Sequence, residues 1–368
     1  MQLDVFRGLA ALLMVLNHAG YAWLAEQHSG AGFTGLVVFA GGFAPVLFFF
    51  ATGLGMGWSG QRRAMDSSLW AKAGLLVLAD ALLNWSQGGW WGVNFFGFTA
   101  LSMVVVGLVR ARAQPVRAAV LVLALVLLAR YGLVPWLRAA SEANAWVGFL
   151  TGIHGRPAIS YPAGPWLAFP LLGFILAYLA AGARVPGWLS TRGLGVAALA
   201  CTLVAGGLVL YRGAALHRWS SVSVAYFLLS LGVLALFWWA AGWLARQERA
   251  SSALALRGPA SLLVVPLHYA AIGLLAGVLP LPLLPAGWLA AVVALCVTVL
   301  WACRRLSLAF SGPLPGGWPL LVMLAVLTLG CLAWRGAGLV TLLLACVGQV
   351  AVAWHLAAGA GYARKPAM

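Results

Sequence analysis

Charged residues are scarce in this sequence. Only 8% of its 368 residues are Asp, Glu, Lys or Arg, whereas 64% are hydrophobic and the mean hydropathy is +0.99. A soluble domain carries about 25% charged residues, so this composition excludes an ordinary soluble fold and indicates a polytopic membrane protein. Because one span takes about 20 apolar residues, the length accommodates about 10–12 transmembrane helices. We therefore predict an all-α, integral membrane helical bundle that forms a single domain over residues 1–368.

Acidic residues are the scarcest of the charged ones. Six Asp and Glu stand against 22 Lys and Arg, for a net charge of +16. The basic residues form neither a block nor a face, which argues against a nucleic-acid partner. With a cytoplasmic N-terminus, fifteen of them fall in inner segments and six in outer segments, with Arg7 inside the first span. Since cytoplasmic loops are enriched in Lys and Arg, we expect both termini in the cytoplasm and an even number of spans.

Patterns that bind metals or form disulfides are also missing. The five cysteines lie in apolar stretches without CxxC spacing, which argues against a disulfide framework or a zinc site. No HExxH or similar spacing occurs, so no metal is expected. No basic segment precedes the first apolar run, so we expect the first helix to remain in the mature protein. No internal repeat of the kind found in many transporters is visible.

Apolar runs predict twelve spans. The third and fourth could instead be a re-entrant pair, because a short, polar, Trp-rich connection joins them. Gly53, Gly55 and Gly57 follow no strand, so they predict close helix packing rather than a dinucleotide site. The longest outer segment, 137–164, is expected to serve as a lid or binding surface. The spans lie near residues 5–24, 33–57, 69–86, 92–110, 117–136, 165–183, 193–211, 222–245, 258–277, 284–303, 317–334 and 337–358.

Polar residues are concentrated in the first hairpin. Arg7 and His18 are eleven residues apart, which places them on one helix face about 16 Å apart. Asp4 lies one turn before Arg7, close enough for an ion pair. Ionisable groups are costly in a bilayer, so this face must point into the protein. We expect Arg7 near the cytoplasmic surface and His18 in the outer half of the span.

Asn17, His18 and His28 converge on the outer mouth of this hairpin and are the candidate catalytic residues. A neutral imidazole can take a proton from an amine or hydroxyl near neutral pH, and an amide can stabilise a developing oxyanion. A wholly structural alternative stays open, in which Asp4 and Arg7 form a cap, His18 packs in the bundle and His28 is solvated.

Four further polar residues are candidates for binding a substrate. Asp80 lies within the third span, where Arg130 or a histidine is its expected partner. His268 lies in the middle of a later span. His154 and Arg156 belong to the long outer segment. An intramembrane carboxylate or histidine is a functional candidate by default, although a structural ion pair would explain Asp80 equally well.

Four motifs resemble, in the same order, those of a known family. Leu3-Asp-Val-Phe-Arg-Gly-Leu-Ala-Ala-Leu-Leu-Met-Val-Leu-Asn-His18 is similar to the opening motif of the bacterial transmembrane acyltransferases related to heparan-alpha-glucosaminide N-acetyltransferase. The other three are Phe43-Ala-Pro-Val-Leu-Phe-Phe-Phe-Ala-Thr-Gly53, Tyr161-Pro-Ala-Gly-Pro-Trp-Leu-Ala-Phe-Pro-Leu-Leu-Gly173, and Arg257-Gly-Pro-Ala-Ser-Leu262 with Leu267-His268. The resemblance covers about residues 3–270. The spacing of Arg7 and His18 also resembles the family-3 membrane acyltransferases, which modify polysaccharides.

The resemblance implies transfer of an acyl group from cytoplasmic acetyl-CoA, or another acyl-CoA, to an amine or hydroxyl of an extracytoplasmic sugar or glycan. It implies an integral protein of the bacterial inner membrane, with the lipid bilayer and the glycan acceptor as partners and a homodimer left open. Arg7, with Arg62 and Arg63 in the loop after the second span, would bind the phosphates of CoA. Positive-inside topology explains the two loop residues equally well.

The resemblance leaves two histidines for the chemistry. His28 lies close to where the N-acetyltransferase has its catalytic histidine, and His18 stands where the animal enzyme has an asparagine, next to Asn17. Either histidine could act as base, by direct transfer or through an acyl-histidine. The alternative function is a transporter or flippase for a small solute or lipid-linked sugar, with Asp80, Arg130 and His268 as its relay. A family member with only a structural role is a third possibility.

Overall fold

The computed structural model describes residues 1–29, 32–58, 67–86, 92–152, 160–181, 191–212, 222–279, 281–309 and 338–362. Within these ranges the regular elements are helices, and six stretches are long and apolar enough to cross a membrane. The predicted all-α polytopic membrane bundle is confirmed. The cytoplasmic location of the termini stays a prediction.

The helices are numbered in chain order. The first nine are α1 (Gln2–Trp23), α2 (Glu26–Ser29), α3 (Gly32–Gly41), α4 (Ala44–Trp58), α5 (Ser67–Ser86), α6 (Phe95–Arg110), α7 (Pro115–Leu127), α8 (Val134–Ala143) and α9 (Ala145–Thr151). The others are α10 (Ala163–Trp166), α11 (Ala168–Ala181), α12 (Thr191–Arg212), α13 (Val224–Leu244), α14 (Glu248–Leu254), α15 (Val264–Ala276), α16 (Pro285–Ala309) and α17 (Gly338–Tyr362). A π-helical turn, Leu128–Gly132, extends α7, and a 3-10 segment, Gly258–Leu263, precedes α15.

These helices coincide with most of the predicted spans. Eleven of the twelve predicted ranges fall on helices, including the second, which the structure divides into α3 and α4 at a turn before Pro45. The twelfth, 317–334, lies outside the described residues. The agreement has a simple cause, since an apolar run of this length must satisfy its own main-chain hydrogen bonds in lipid and does so as a helix.

The bundle is built around α1, which packs against α3, α4, α13, α15 and α16. Main-chain hydrogen bonds hold it at both ends. The amide of Leu256 donates to the carbonyl of Asp4, and the amide of Leu283 donates to that of Trp23. The indole of Trp288 adds a hydrogen bond to another α1 carbonyl, 3.2 Å away. The polar face of α1 is therefore enclosed by protein on several sides.

α4 and α11 meet at direct backbone contact. A Cβ placed on Gly53 would collide with the carbonyl oxygen of Pro170, and one on Gly173 would collide with the carbonyl oxygen of Phe50. Gly57 approaches α11 in the same way one turn further on. Small residues allow membrane helices to pack this closely. The packing interpretation of the glycines in the second span is confirmed at Gly53 and Gly57.

The long segment predicted outside the membrane is helical over its described first half, where α8 and α9 form a short hairpin. A hydrogen bond of 2.9 Å between the hydroxyls of Ser141 and Thr151 joins the two helices. Trp136 and Trp146 are 76% and 78% exposed. Tryptophan is enriched where a membrane meets water, so these rings are suited to the interface.

Candidate active site

A pair of histidines from distant parts of the chain lies inside the bundle. Nδ1 of His18, in α1, is 2.6 Å from Nε2 of His268, in α15. The rings are within 5° of parallel, and their centroids are 4.9 Å apart. Nitrogens this close between parallel rings at this separation require the rings to lie edge to edge in one plane. The contact is thus an N–H···N hydrogen bond rather than a stacked pair.

His268 is held on its other side by its own helix. Its Nδ1 is 2.6 Å from the carbonyl oxygen of Val264, one turn earlier, and its side chain is fully buried. His18, by contrast, is only partly buried. Of the two imidazoles, His18 is therefore the more exposed.

Tyr269 packs beside both imidazoles, with its ring centroid 4.4 Å from that of His268. Its hydroxyl is 3.3 Å from Nε2 of His18, and the two ring centroids are 4.8 Å apart. A phenol hydroxyl can donate to a basic nitrogen or accept from a protonated one. His18 thus has one nitrogen engaged by His268 and the other beside a hydroxyl.

Asn17 joins α1 to α3. Its buried side-chain amide donates to the carbonyl of Val38 at 2.9 Å. A Cβ at Gly41 would come within 2.7 Å of the Asn17 side chain, so the two helices are close here. An amide carries two N–H donors, and this contact uses one of them. Asn17 is next to His18 in the chain, but its observed contact is with the neighbouring helix.

His28 lies in α2, in the connection after α1. Its main-chain carbonyl accepts a hydrogen bond of 2.6 Å from the hydroxyl of Thr34, which holds the connection closed. The His28 imidazole is partly buried and makes no hydrogen bond with the described residues. The expected convergence of the two hairpin histidines is thus not seen as a direct contact, because His18 pairs with His268 instead.

Asp80, in α5, is buried against the start of α6. Its Oδ2 accepts from the amide of Asn94 at 2.9 Å, and the side-chain nitrogen of Asn84 is 3.4 Å from the same oxygen. Free N–H groups and the helix dipole favour a negative charge at this position. Arg130 instead donates to the carbonyl of Val222. The expected pairing of Asp80 with Arg130 is wrong, because the start of α6 already stabilises the carboxylate.

Tyr161 is a buried phenol whose ring packs edge-on against Phe49 and Trp166. Burial raises the pKa of the Tyr161 phenol, and Tyr269, Tyr226 and Asp80 raise it further. Tyr226 is anchored by its hydroxyl, which donates to the carbonyl of Gly42 at 3.1 Å. Tyr161 and Tyr226 are thus two buried phenols, and the hydroxyl of Tyr226 is already engaged by a main-chain carbonyl.

Arg7 occupies the opposite end of α1. Its guanidinium is 3.0 Å from Asp4 and only 14% exposed, so the predicted ion pair and the inward orientation are confirmed. A Cβ at Gly55 would lie 3.1 Å from the guanidinium, which therefore rests against α4. Four other predicted site residues lie outside the described residues: Arg62, Arg63, His154 and Arg156.

Residues 1–212 match the family described as heparan-alpha-glucosaminide N-acetyltransferase, catalytic. This match covers more than half of the 368-residue chain. The chain belongs to this family. The family is one of membrane acetyltransferases, and the match contains α1 with Arg7 and His18. No curated protein and no solved structure matches the chain. His268 and Tyr269 lie beyond the matched residues.

The sequence alone marks His18 as a candidate catalytic residue and His268 as a candidate for substrate binding, but nothing in it pairs them. They are 250 residues apart, and no spacing rule relates them. Tyr226 was not identified at all. The one signal for it is a phenol in an otherwise apolar span, and such a residue needs a hydrogen-bond partner inside the bundle.

Proposed function

We propose that this protein moves an acyl group, acetyl in the first instance, from cytoplasmic acyl-CoA to an amine or hydroxyl of an extracytoplasmic sugar or glycan. The observation that carries the proposal is the polar face of α1 in a chain of this family. Arg7 and the partly buried His18 lie on one continuous helix, eleven residues or about 16 Å apart. An extended pantetheine arm has a comparable length. A bacterial inner membrane is the expected location.

Arg7 supports binding of the donor at the cytoplasmic end. A guanidinium has five N–H donors, and the contact with Asp4 uses only part of them. The remaining donors suit a phosphate group, which guanidinium binds in a fork. Partial burial against Gly55 holds the side chain in place before the donor arrives. Arg62 and Arg63 follow α4 in the chain and would add positive charge at the same end.

His18 is proposed as the general base. The acceptor hydroxyl or amine gives its proton to Nε2 of His18 while its oxygen or nitrogen attacks the thioester carbonyl. A new C–O or C–N bond forms, the C–S bond breaks, and the CoA thiolate takes the proton back from His18. This direct route needs no acyl-enzyme. Asn17 has one N–H left after its bond to Val38, and this donor is proposed to stabilise the oxyanion.

The acceptor is proposed to bind among Tyr161, Tyr226 and Asp80. Hydroxyls and a carboxylate are the groups that recognise the donors and acceptors of a sugar. Asp80 keeps one carboxylate oxygen, Oδ1, without a hydrogen-bond partner in the described chain, and a sugar hydroxyl or ammonium would satisfy it. His154 and Arg156, in the outer segment, remain proposed contacts to the acceptor. His28 is proposed to assist at the outer mouth of the hairpin.

The test is turnover of acetyl-CoA by the purified protein in lipid nanodiscs, with an amino sugar or a polyol as acceptor and release of free thiol as readout. Turnover that needs the acceptor and falls in His18→Ala is expected. Unchanged turnover in both His18→Ala and His28→Ala would remove the histidine mechanism. A CoA donor in excess also stabilises a binder, by about 2.7 kcal/mol at 100 times its Kd. If the protein shows no turnover and no thermal shift with acetyl-CoA, the transporter alternative is favoured.

A further inference from the structure

We propose that His268 is a positioning residue, which sets the tautomer of His18 and so makes Nε2 of His18 the basic atom. This inference rests on the proposed function, in which His18 is the base. It assigns to His268 a role other than direct contact with substrate. Three hydrogen-bond contacts carry it: Val264 with His268, His268 with His18, and His18 with Tyr269.

The proton positions follow from the carbonyl of Val264. A carbonyl oxygen only accepts hydrogen bonds, so Nδ1 of His268 must carry a proton. A neutral imidazole has one N–H, which leaves Nε2 of His268 as an acceptor. The 2.6 Å contact then requires the proton on Nδ1 of His18. Nε2 of His18 keeps its lone pair, and it is this nitrogen that lies beside Tyr269.

Both imidazoles are neutral at rest in this arrangement. Asp4 forms ion pairs with Arg7 and the N-terminus, and Glu142 forms one with Arg138, all away from the histidine pair. No described carboxylate contacts either ring. A protonated histidine pair without a counter-ion would be costly in this interior, so the neutral form is the one the site favours.

The same hydrogen bonds stabilise the positive charge that forms on His18 during the reaction. When Nε2 of His18 takes a proton, the ring becomes an imidazolium whose Nδ1–H already points at the lone pair of His268. A hydrogen bond from an ionised donor is stronger than a neutral one. His268 cannot compete as base, because its only free nitrogen is occupied by His18. His268 and the Val264 carbonyl thus hold His18 in one tautomer and stabilise its imidazolium, as the aspartate does for the histidine of a serine hydrolase triad.

The fold holds His268 rigidly enough for this role. Its side chain is fully buried, and its helix is fixed against α17, where the thiol of Cys346 lies 3.2 Å from the carbonyl of Pro266. His268 therefore has little freedom to turn away. A positioning group needs such restraint, since a loosely held ring would let His18 adopt either tautomer.

The first test reads the tautomers directly and does not depend on activity. The chain has six histidines, so 15N-histidine labelling gives a spectrum that single His→Asn variants assign. We expect protonated Nδ1 and unprotonated Nε2 in both His18 and His268. In His268→Phe, which keeps the ring but removes the acceptor, His18 is expected to show a mixture of tautomers. A protonated Nε2 on His18 in the native protein would overturn the inference, even in an active enzyme.

The second test separates positioning from packing. His268→Phe is expected to lower kcat about 10- to 100-fold, a part of what a general base contributes, with the KM for acetyl-CoA unchanged within a factor of two. His268→Gln presents an amide oxygen near the lost nitrogen and should recover most of the kcat. His355→Phe, in α17, is the matched control and should retain full activity. Equal kcat in native protein and folded His268→Phe would contradict the inference. If no acceptor supports turnover, the proposed function fails. The tautomers of His18 and His268 are still tested independently by the 15N measurement.

Discussion

The two helices α1 and α7 show how poorly hydropathy separates the centre of this bundle from its edge. The stretch from Pro115 to Gly132 has a mean hydropathy of 1.7, yet only 6% of it is buried. α1 has a mean hydropathy of 1.2, the lowest of the candidate spans, and 61% of it is buried. Lipid accepts apolar side chains as readily as protein does, so apolarity alone does not favour the interior. Polar side chains favour the protein interior, because lipid offers them no hydrogen-bond partners.

The largest effect is expected where helix backbones touch in the centre. Gly53→Leu must displace α11, because even a Cβ at this position collides with the carbonyl of Pro170. We expect little folded protein, a cost above about 3 kcal/mol. Gly207→Leu, on the exposed side of α12 with no atom near its Cβ, should be neutral. The measurement is the monodisperse fraction in size-exclusion chromatography. Equal yields for both variants would contradict the close packing.

The next effect concerns activity and compares the bundle centre with the hairpin mouth. His18→Ala removes the proposed base and is expected to lower kcat about 10²- to 10⁴-fold, or about 2.7–5.5 kcal/mol of barrier. His28→Ala is expected to lose less than about tenfold, since its imidazole makes no hydrogen bond with the described residues. Acceptor-dependent thiol release measures both. A larger loss of kcat in His28→Ala than in His18→Ala would identify His28 as the base instead.

A smaller effect is expected at the cytoplasmic end of α1. Arg7→Gln removes a charge held against α4 and should raise the KM for acetyl-CoA about tenfold, because a hydrogen bond to a charged group contributes about 1.5–3 kcal/mol. Arg117→Gln is the control, since Arg117 is exposed and bonded only to Gln114 in the described chain. Titration of acetyl-CoA against thermal stability measures binding separately. An unchanged titration in Arg7→Gln would exclude Arg7 from the donor site.

The smallest effect is expected at the start of α6. Asp80→Asn keeps the shape of the side chain and removes its charge, which should reduce stability by about 1 kcal/mol through the lost interaction with the helix N-terminus. Glu142→Gln, in an exposed ion pair with Arg138, should change stability by less than about 0.5 kcal/mol. Thermal unfolding in one lipid composition compares them. If Asp80→Asn were more stable than the native protein, the buried Asp80 charge would lower stability, and its presence would point to a role in binding.

Composition and the lengths of apolar runs are enough to predict the helical class and the positions of helices in eleven of the twelve predicted ranges. They suffice because lipid leaves a spanning chain few ways to satisfy its main-chain groups. The polar face of α1 and the Asp4–Arg7 pair were predictable for a similar reason. Both depend on residues within one helix, whose geometry is known in advance.

The tertiary structure alone decided which polar groups meet. It paired His18 with His268, gave Asp80 the start of α6 instead of Arg130, and joined the hydroxyl of Tyr226 to the carbonyl of Gly42. No local pattern contains these contacts, since they depend on how helices far apart in the chain pack together. The sequence thus determined that α1 must turn its polar face inward, because exposure to lipid is too costly. Only the packing of distant helices determined that the partner of His18 is the imidazole of His268, which the carbonyl of Val264 holds in place.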